Sequence, residues 1–310
     1  MPSLGCGGCC VLMQLLLSLL LWGCGAQNQT QQAGDRASLA DMAAMDSTVW
    51  FKEQGALLSP TSQGLLRFLA THQPSLDTSL ARFHTVASCS ADTALMALDL
   101  GFHTVDFFYL LRAENQRAAA QCLVGVDSLL LCMGLTDVWP LTALWDSMAV
   151  PLSWAQLMQW SLPRVNRLSE QLHRLHRKDL YALIAAAAWV EGTHLLGHLA
   201  LENESQVLYQ LMAEQRLSLT AVTDLLAECV YSSPDCEQIY SALSGLLPLY
   251  QSVQISYSYQ APKVDTAARL TCIQGTMQVS MSRAQLEAIV SALTLLTDQL
   301  AHAIHASSAR

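Results

Sequence analysis

The chain has 310 residues, 52% apolar and 13% charged, with a formal net charge of −9. A soluble domain usually carries about 25% charged residues, and disorder needs low hydrophobicity with high charge, so a disordered chain is excluded. The acidic balance excludes a nucleic-acid partner, whose phosphates are neutralised by clustered Lys and Arg; nine prolines and 7% aromatics do not suggest a β-sandwich.

The first charged residue is Asp35. Ahead of it, residues 11–23 are nearly pure hydrocarbon. The run is shorter than the ~20 residues of a membrane-spanning helix and matches a signal-peptide core of roughly 7–15 residues. It stops at Leu21-Trp22-Gly23-Cys24, which looks like the lipobox of bacterial lipoproteins, where the cysteine thiol is lipidated and becomes the new N-terminus. Two departures stand out: Trp22 replaces a small residue, and residues 1–10 hold no Lys or Arg. An ordinary secretory signal cleaved after Cys24 or Ala26, or a retained anchor, is the alternative. The Gln-rich tract after Cys24 buries too little apolar surface to fold and reads as a tether. The expected organisation is therefore a lipoprotein-type signal peptide over 1–23, a lipidated Cys24 with a flexible tether over 24–37, and a single helical domain over 38–310. Acyl chains on Cys24 would anchor the body at about 0.8 kcal/mol per buried CH2.

Residues 38–55 and 62–72 read as helices, the first holding Trp50 and Phe51, the second placing Leu65, Leu66, Phe68 and Leu69 at helical spacing. A helix over 77–86 follows the break at Gln73-Pro74-Ser75. Ser90 is a good N-cap for a helix over 91–100, with Asp92 in its first turn. Gly101 marks a boundary before a helix over 102–113, and a long apolar helix covers 115–135. Helices over 141–150 and 153–178 come next, Pro163 allowing a kink in the second. Residues 180–201 are apolar on nearly every side, as a buried core helix or a membrane span would be. Glu191, His194 and His198 inside it make a span expensive, so it reads as the central helix of a bundle.

Helices over 205–215, 218–231 and 235–252 follow. Residues 253–259 and 276–281 alternate with period two and read as a small antiparallel pair, with Gly275 near the turn. The last helix starts at Ser282, whose capping-box partner is Gln285, and carries an apolar stripe of Leu286, Ile289, Val290, Leu293, Leu296 and Leu300. The expected fold class is all-α: a compact multi-helix bundle with a buried central helix and a two-stranded β element before the C-terminal helix.

Six cysteines lie in the body, none at the CxxC spacing of a zinc or redox motif. Cys229 and Cys236 flank a helix break at 230–235 and are the candidate disulfide of an oxidising compartment. Cys122 and Cys132 sit in apolar helical sequence and read as small buried hydrophobes.

Two stretches carry a resemblance. Leu100-Gly101-Phe102-His103-Thr104-Val105-Asp106-Phe107-Phe108-Tyr109 is similar to an LGvYsaDlaY segment, and Ala187-Ala188-Trp189-Val190-Glu191-Gly192 to a GxWvEgLY segment. Both segments occur in uncharacterised, largely α-helical lipoproteins of Bacteroidetes-type bacteria. Met212-Ala213-Glu214-Gln215-Arg216-Leu217-Ser218-Leu219 resembles a third segment of that family. Over roughly residues 95–305 the resemblance implies a helical fold ending in a short β element and a final helix, at a bacterial membrane, and it implies no reaction. His103 stands where the family has Tyr, and Thr193-His194 where it has Leu-Tyr.

Glu191-x-x-His194 with His198 puts three polar groups on one side of the central helix. Glu-x-x-His is also the ligand unit of di-iron bundles, which need two such units. The second copy, Glu170-x-x-His173, points away from its helix's stripe of Val165, Leu168, Leu172 and Leu175 and reads as a solvated face, so no metal and no cofactor is expected. Asp106 lies among Val105, Phe107, Phe108 and Tyr109 and should be partly buried, with Arg112, His103 or a distant residue as partner. The candidate cavity or polar network is thus Asp106, Tyr109, Arg112, Glu191, His194 and His198. Nucleophile elbows, phosphate loops and H-E-x-x-H are absent from the sequence, and no catalytic residue is assigned. The basic run of Arg164, Arg167, Arg174, Arg177 and Lys178 reads as a solvated face, or as a contact with anionic lipid headgroups.

The function expected is that of a lipid-anchored, periplasm-facing envelope lipoprotein with a non-catalytic binding or scaffolding role. Its expected partners are the membrane, through the lipid, and an envelope protein or small ligand of unspecified identity. The alternative is a metal-dependent or cavity-based enzyme centred on Glu191, His194 and Asp106.

Overall fold

A computed structural model of the chain describes residues 76–86, 89–136, 154–265 and 270–308. These residues are predominantly helical. Asp92 opens α1 (Thr93–Arg112), its carboxylate accepting from the amides of Ala94 (2.9 Å) and Leu95 (3.2 Å). Ser90, the expected cap, instead accepts from the Asp92 amide. Glu114, in the left-handed region at φ 58°, turns the chain into α2 (Gln116–Cys132), which Asn115 caps. Next come α3 (Trp154–Arg174), running through Pro163, and α4 (Lys178–Asn203). α5 (Gln206–Ala227) follows. α6 (Pro234–Ser244) is capped by Ser233 and separated from α7 (Leu247–Gln251) at Gly245 and Leu246. α8 (Arg283–Ser308) begins with the expected capping box: the Ser282 amide donates to Gln285 Oε1 (2.8 Å) and the Gln285 amide to Ser282 Oγ (3.2 Å).

α4 is the central helix. α1, α3, α5, α6 and α8 all pack on it, and every residue from Leu180 to Glu191 is buried. Among the described residues two helices, α1 and α4, are long and apolar enough to cross a membrane by length and composition. Their most apolar stretches are 78% and 94% buried inside the protein, so neighbouring helices already satisfy that apolar surface.

Four helix boundaries differ from expectation, one being the helix expected over 235–252, which is broken at Gly245 and Leu246 into α6 and α7. Gly101 does not end a helix. It lies inside α1 at the crossing with α4, where a Cβ would sit 2.5 Å from the Ile184 carbonyl oxygen and 2.7 Å from Ala187 Cβ. The glycine and the alanine run of α4 together allow a close approach of backbones. The helices expected over 205–215 and 218–231 are one, α5, because Gln215 and Ser218 are buried in its core-facing side and do not interrupt it. The helix expected over 77–86 is only a 3-10 turn, Thr78–Leu80, capped by Asp77. From there an irregular strap, residues 81–86, crosses the bundle; its backbone polar groups bond to side chains of α1 instead of to a helix of its own.

Between α7 and α8 two extended segments, β1 (Gln254–Asp265) and β2 (Leu270–Ser280), are antiparallel neighbours. Gly275 is not near the turn but opposite Tyr259 within the ladder, and the register shifts between Gln260 and Lys263. The helices expected over 38–55, 62–72 and 141–150, together with Cys24 and the tether, lie outside the described residues.

The cysteines also need correcting. Cys132 is not a lone hydrophobe but is bonded to Cys89, with Cα atoms 5.4 Å apart. Cys229 and Cys236, expected as a disulfide, are free and buried, their sulfurs 2.8 Å apart. The turn brings the two thiols together as their spacing suggested, but Cys229 directs its S–H to Cys236 and to the Leu226 carbonyl and no covalent bond is formed. Cys122 is a buried thiol, donating to the His103 carbonyl oxygen.

Candidate functional site

The polar residues that interrupt α1 and α4 do so at helical spacing. Asp99, His103 and Asp106 lie on α1 four and three residues apart, and Glu191, His194 and His198 on α4 three and four apart, so each set forms a stripe on one face. Both stripes belong to the seam under the strap.

Asp106 and Glu191 are each 0% exposed. Asp106 Oδ2 accepts the backbone N–H of Arg82 at 2.8 Å, and the two carboxyl groups lie close enough for each to shift the protonation of the other. Burial raises the pKa of Asp106 to about 6, with the Arg82 amide, His103 and Glu191 pulling it back. Burial also raises Glu191, and there the Asp106 charge adds to it, so Glu191 lies well above the usual carboxylate range. Glu191 is therefore the member that keeps its proton at neutral pH. Beyond this mutual effect, Asp106 Oδ1 and both Glu191 oxygens have no hydrogen-bond partner among the described residues.

Arg82 supplies the nearby positive charge. Its guanidinium pairs with Asp298 of α8 at 2.6 Å, and it lowers the pKa of Glu191, His194 and His198. His194 is buried, and neither ring nitrogen has a hydrogen-bond partner among the described residues. Burial, then His198 and Arg82, hold it neutral, with a pKa of about 3. Its ring meets that of His198 edge-on at 4.6 Å, and His198 Nε2 lies 3.4 Å from Thr294 Oγ1.

Of the expected network, Asp106 and Glu191 thus meet directly, and His194 and His198 lie beside them under the same Arg82 charge. Tyr109 is buried and donates to the Asp77 carbonyl (3.1 Å), fastening the start of the strap. Arg112 stands half-buried in the last turn of α1. Asp106 accepts instead from the Arg82 amide, the distant residue of the other expectation, 24 residues earlier in the chain. Glu170 and His173 are exposed, as expected of a solvated face.

A second cluster went unread in the sequence. His103, fully buried, places Nδ1 2.8 Å from Asp99 Oδ1 and Nε2 3.0 Å from the His84 carbonyl oxygen. His84, on the strap, places Nε2 3.5 Å from Asp99 Oδ2. His305 of α8 packs edge-on against His84, with ring centroids 4.5 Å apart. α2 passes so close that a Cβ on Gly125 would lie 2.5 Å from His103 Cδ2. Asp99 and His103, four apart in an apolar helix, were a readable signal; His84 and Arg82 had none, because the strap has no period.

A groove of 480 Å³ lies between α4 and α8, lined by His198, Leu201, Glu287, Val290, Thr294 and Asp298 among others. Chemically, the carboxyl pair can hold one proton and one charge in a dry interior. A general acid or base must come within hydrogen-bond reach of its substrate, and these carboxyls are enclosed by the strap and two helices. No protein-family model, curated protein or solved structure matches the chain.

Proposed function

We propose that the protein is a lipid-anchored lipoprotein of a bacterial cell envelope, its helical body facing the periplasm in a non-catalytic binding or scaffolding role. The observation that carries the non-catalytic part is the enclosure of Asp106, Glu191 and His194, each 0% exposed. Asp106 is tied to the strap through the Arg82 amide and His194 packs on His198, which is the arrangement of groups that fasten a fold. The Cys89–Cys132 disulfide supports an oxidising compartment, in line with the leader and the Leu21-Trp22-Gly23-Cys24 box. The kinship with Bacteroidetes-type lipoproteins and the two-stranded β element before α8 belong to the same reading. The β element is supported by the β1–β2 register and by Ile255 packing on the core.

Mass spectrometry of the N-terminal peptide from membrane fractions is the test. An acylated Cys24 is expected as the first residue, and Cys24→Ser should move the body to the soluble fraction; an unmodified Cys24 in the mature chain overturns the anchor. The second reading, an enzyme centred on Glu191, His194 and Asp106, draws on the unpaired Glu191 and His194 atoms. It would require stoichiometric metal or turnover that disappears in both Glu191→Gln and His194→Ala.

A further inference from the structure

The seam contains a pair of facing groups, His103 Nδ1 and Asp99 Oδ1, that need a proton or a metal ion between them. His103 Nε2 lies 3.0 Å from a carbonyl oxygen, so it carries a hydrogen and donates. His103 Nδ1 lies 2.8 Å from Asp99 Oδ1 and 3.1 Å from the Asp99 carbonyl oxygen, both acceptors. A neutral imidazole has one N–H, already committed at Nε2, so Nδ1 and Asp99 require a cation between them: a second proton or a metal ion. His84 brings a third donor atom to the pair, as a metal site needs. Its Nε2 is buried, has no hydrogen-bond partner among the described residues, and is aimed at the same carboxylate.

We propose that His84 Nε2, Asp99 Oδ2 and His103 Nδ1 form a binding site for a zinc-class divalent transition metal that clamps the strap to α1. The three donor groups lie within 4.8 Å of one another. Ligands about 2.1 Å from a tetrahedral zinc are about 3.4 Å apart, and His84 Nε2 stands 3.5 Å from Asp99 Oδ2. Two imidazoles and a carboxylate suit zinc and its neighbours better than magnesium or calcium, which favour all-oxygen sets. A metal-bound histidine usually donates its other N–H to a carbonyl or carboxylate, which fixes the ring; the His103 Nε2–H bond to His84 O is such a support. The His84 side chain is 19% exposed and gives the ion its way in, and the fourth ligand comes from solvent or from the adjacent His305. The site is separate from Asp106, Glu191 and His194 and independent of the lipoprotein reading.

The test uses the full-length, tag-free chain in detergent, equilibrated with Zn²⁺, freed of unbound metal and measured by elemental analysis. About one zinc per chain is expected, as is a Co²⁺ derivative with the visible absorption of a four-coordinate site. His84→Ala should weaken binding at least tenfold while its circular dichroism stays that of the wild type, and His84→Gln should do the same. Glu191→Gln and His194→Ala should leave the zinc in place, which separates this site from the enzyme reading. Wild-type protein that retains less than about a tenth of an equivalent would overturn the proposal, as would zinc that survives His84→Ala; a proton then bridges His103 and Asp99.

Discussion

Glu191 and Asp106 occupy one environment in two protonation states, and this makes the stability of the fold depend on pH. Each carboxyl has a higher pKa in the folded chain than in the unfolded one, so the folded state binds more protons. Their contribution is fully present below about pH 4 and is lost as the pH rises through about 6 for Asp106 and higher for Glu191. His194, whose pKa is lowered to about 3, works the other way below its ordinary value of about 6.5, so the melting temperature should fall from about pH 7 to 8 in buffers of constant salt. Glu191→Gln keeps the shape of the protonated form and should flatten that fall, whereas Glu191→Ala should cost roughly 2 kcal/mol at pH 5 through the space it leaves. A wild-type melting temperature that climbs over this range would contradict the assignment. These two carboxylates were legible in the sequence because a lone charge in an apolar helix stands out. Arg82 and His84 were not, since what makes them matter is a backbone amide and a carbonyl delivered by a segment without periodicity.

Among the elements, the α1–α4 crossing sets the spacing of the whole seam, and glycines report on it. Gly101→Ala pushes a methyl against the Ile184 carbonyl and the Ala188 amide, which is backbone that cannot step aside. It should destabilise the protein by roughly 1–3 kcal/mol in urea titrations. Gly192→Ala, whose nearest neighbour would be Val105 Cγ1 at 3.9 Å, should be neutral or stabilise by up to about 1 kcal/mol through helix propensity. Equal losses at the two positions would mean that the crossing is not tight. A glycine in an apolar run has two readings, chain break and close approach, and the sequence offered no way to choose; the partner helix does. The capping box of α8 was readable because it is wholly local, three residues apart. The strap was not, because Asp77 and Ser79 imitate a helix start whose remaining turns are never built.

At the scale of the molecule, an all-α body around one buried helix was readable from the unbroken apolar character of residues 180–201. The Cys89–Cys132 bond was not, because it ties the stretch after the strap to the end of α2 across 43 residues, and spacing says nothing about such pairs. The burial of α4 has a consequence for the chain before it folds. On the proposed reading of an exported chain, a translocation channel would expose each segment in turn to lipid, and α4, with a stretch of mean hydropathy 1.2, would resemble a stop signal for transfer. Glu191 lies near its midpoint. Charged side chains there oppose insertion by about 2.5–3.5 kcal/mol, and in transit, with water at hand, Glu191 is ionised. Glu191→Leu should therefore strand the chain as an integral membrane species resistant to carbonate extraction, even though leucine suits the folded core. In an exported chain, the carboxyl that sits neutral at the centre of the finished protein would act earlier as the charge that keeps its central helix out of the bilayer.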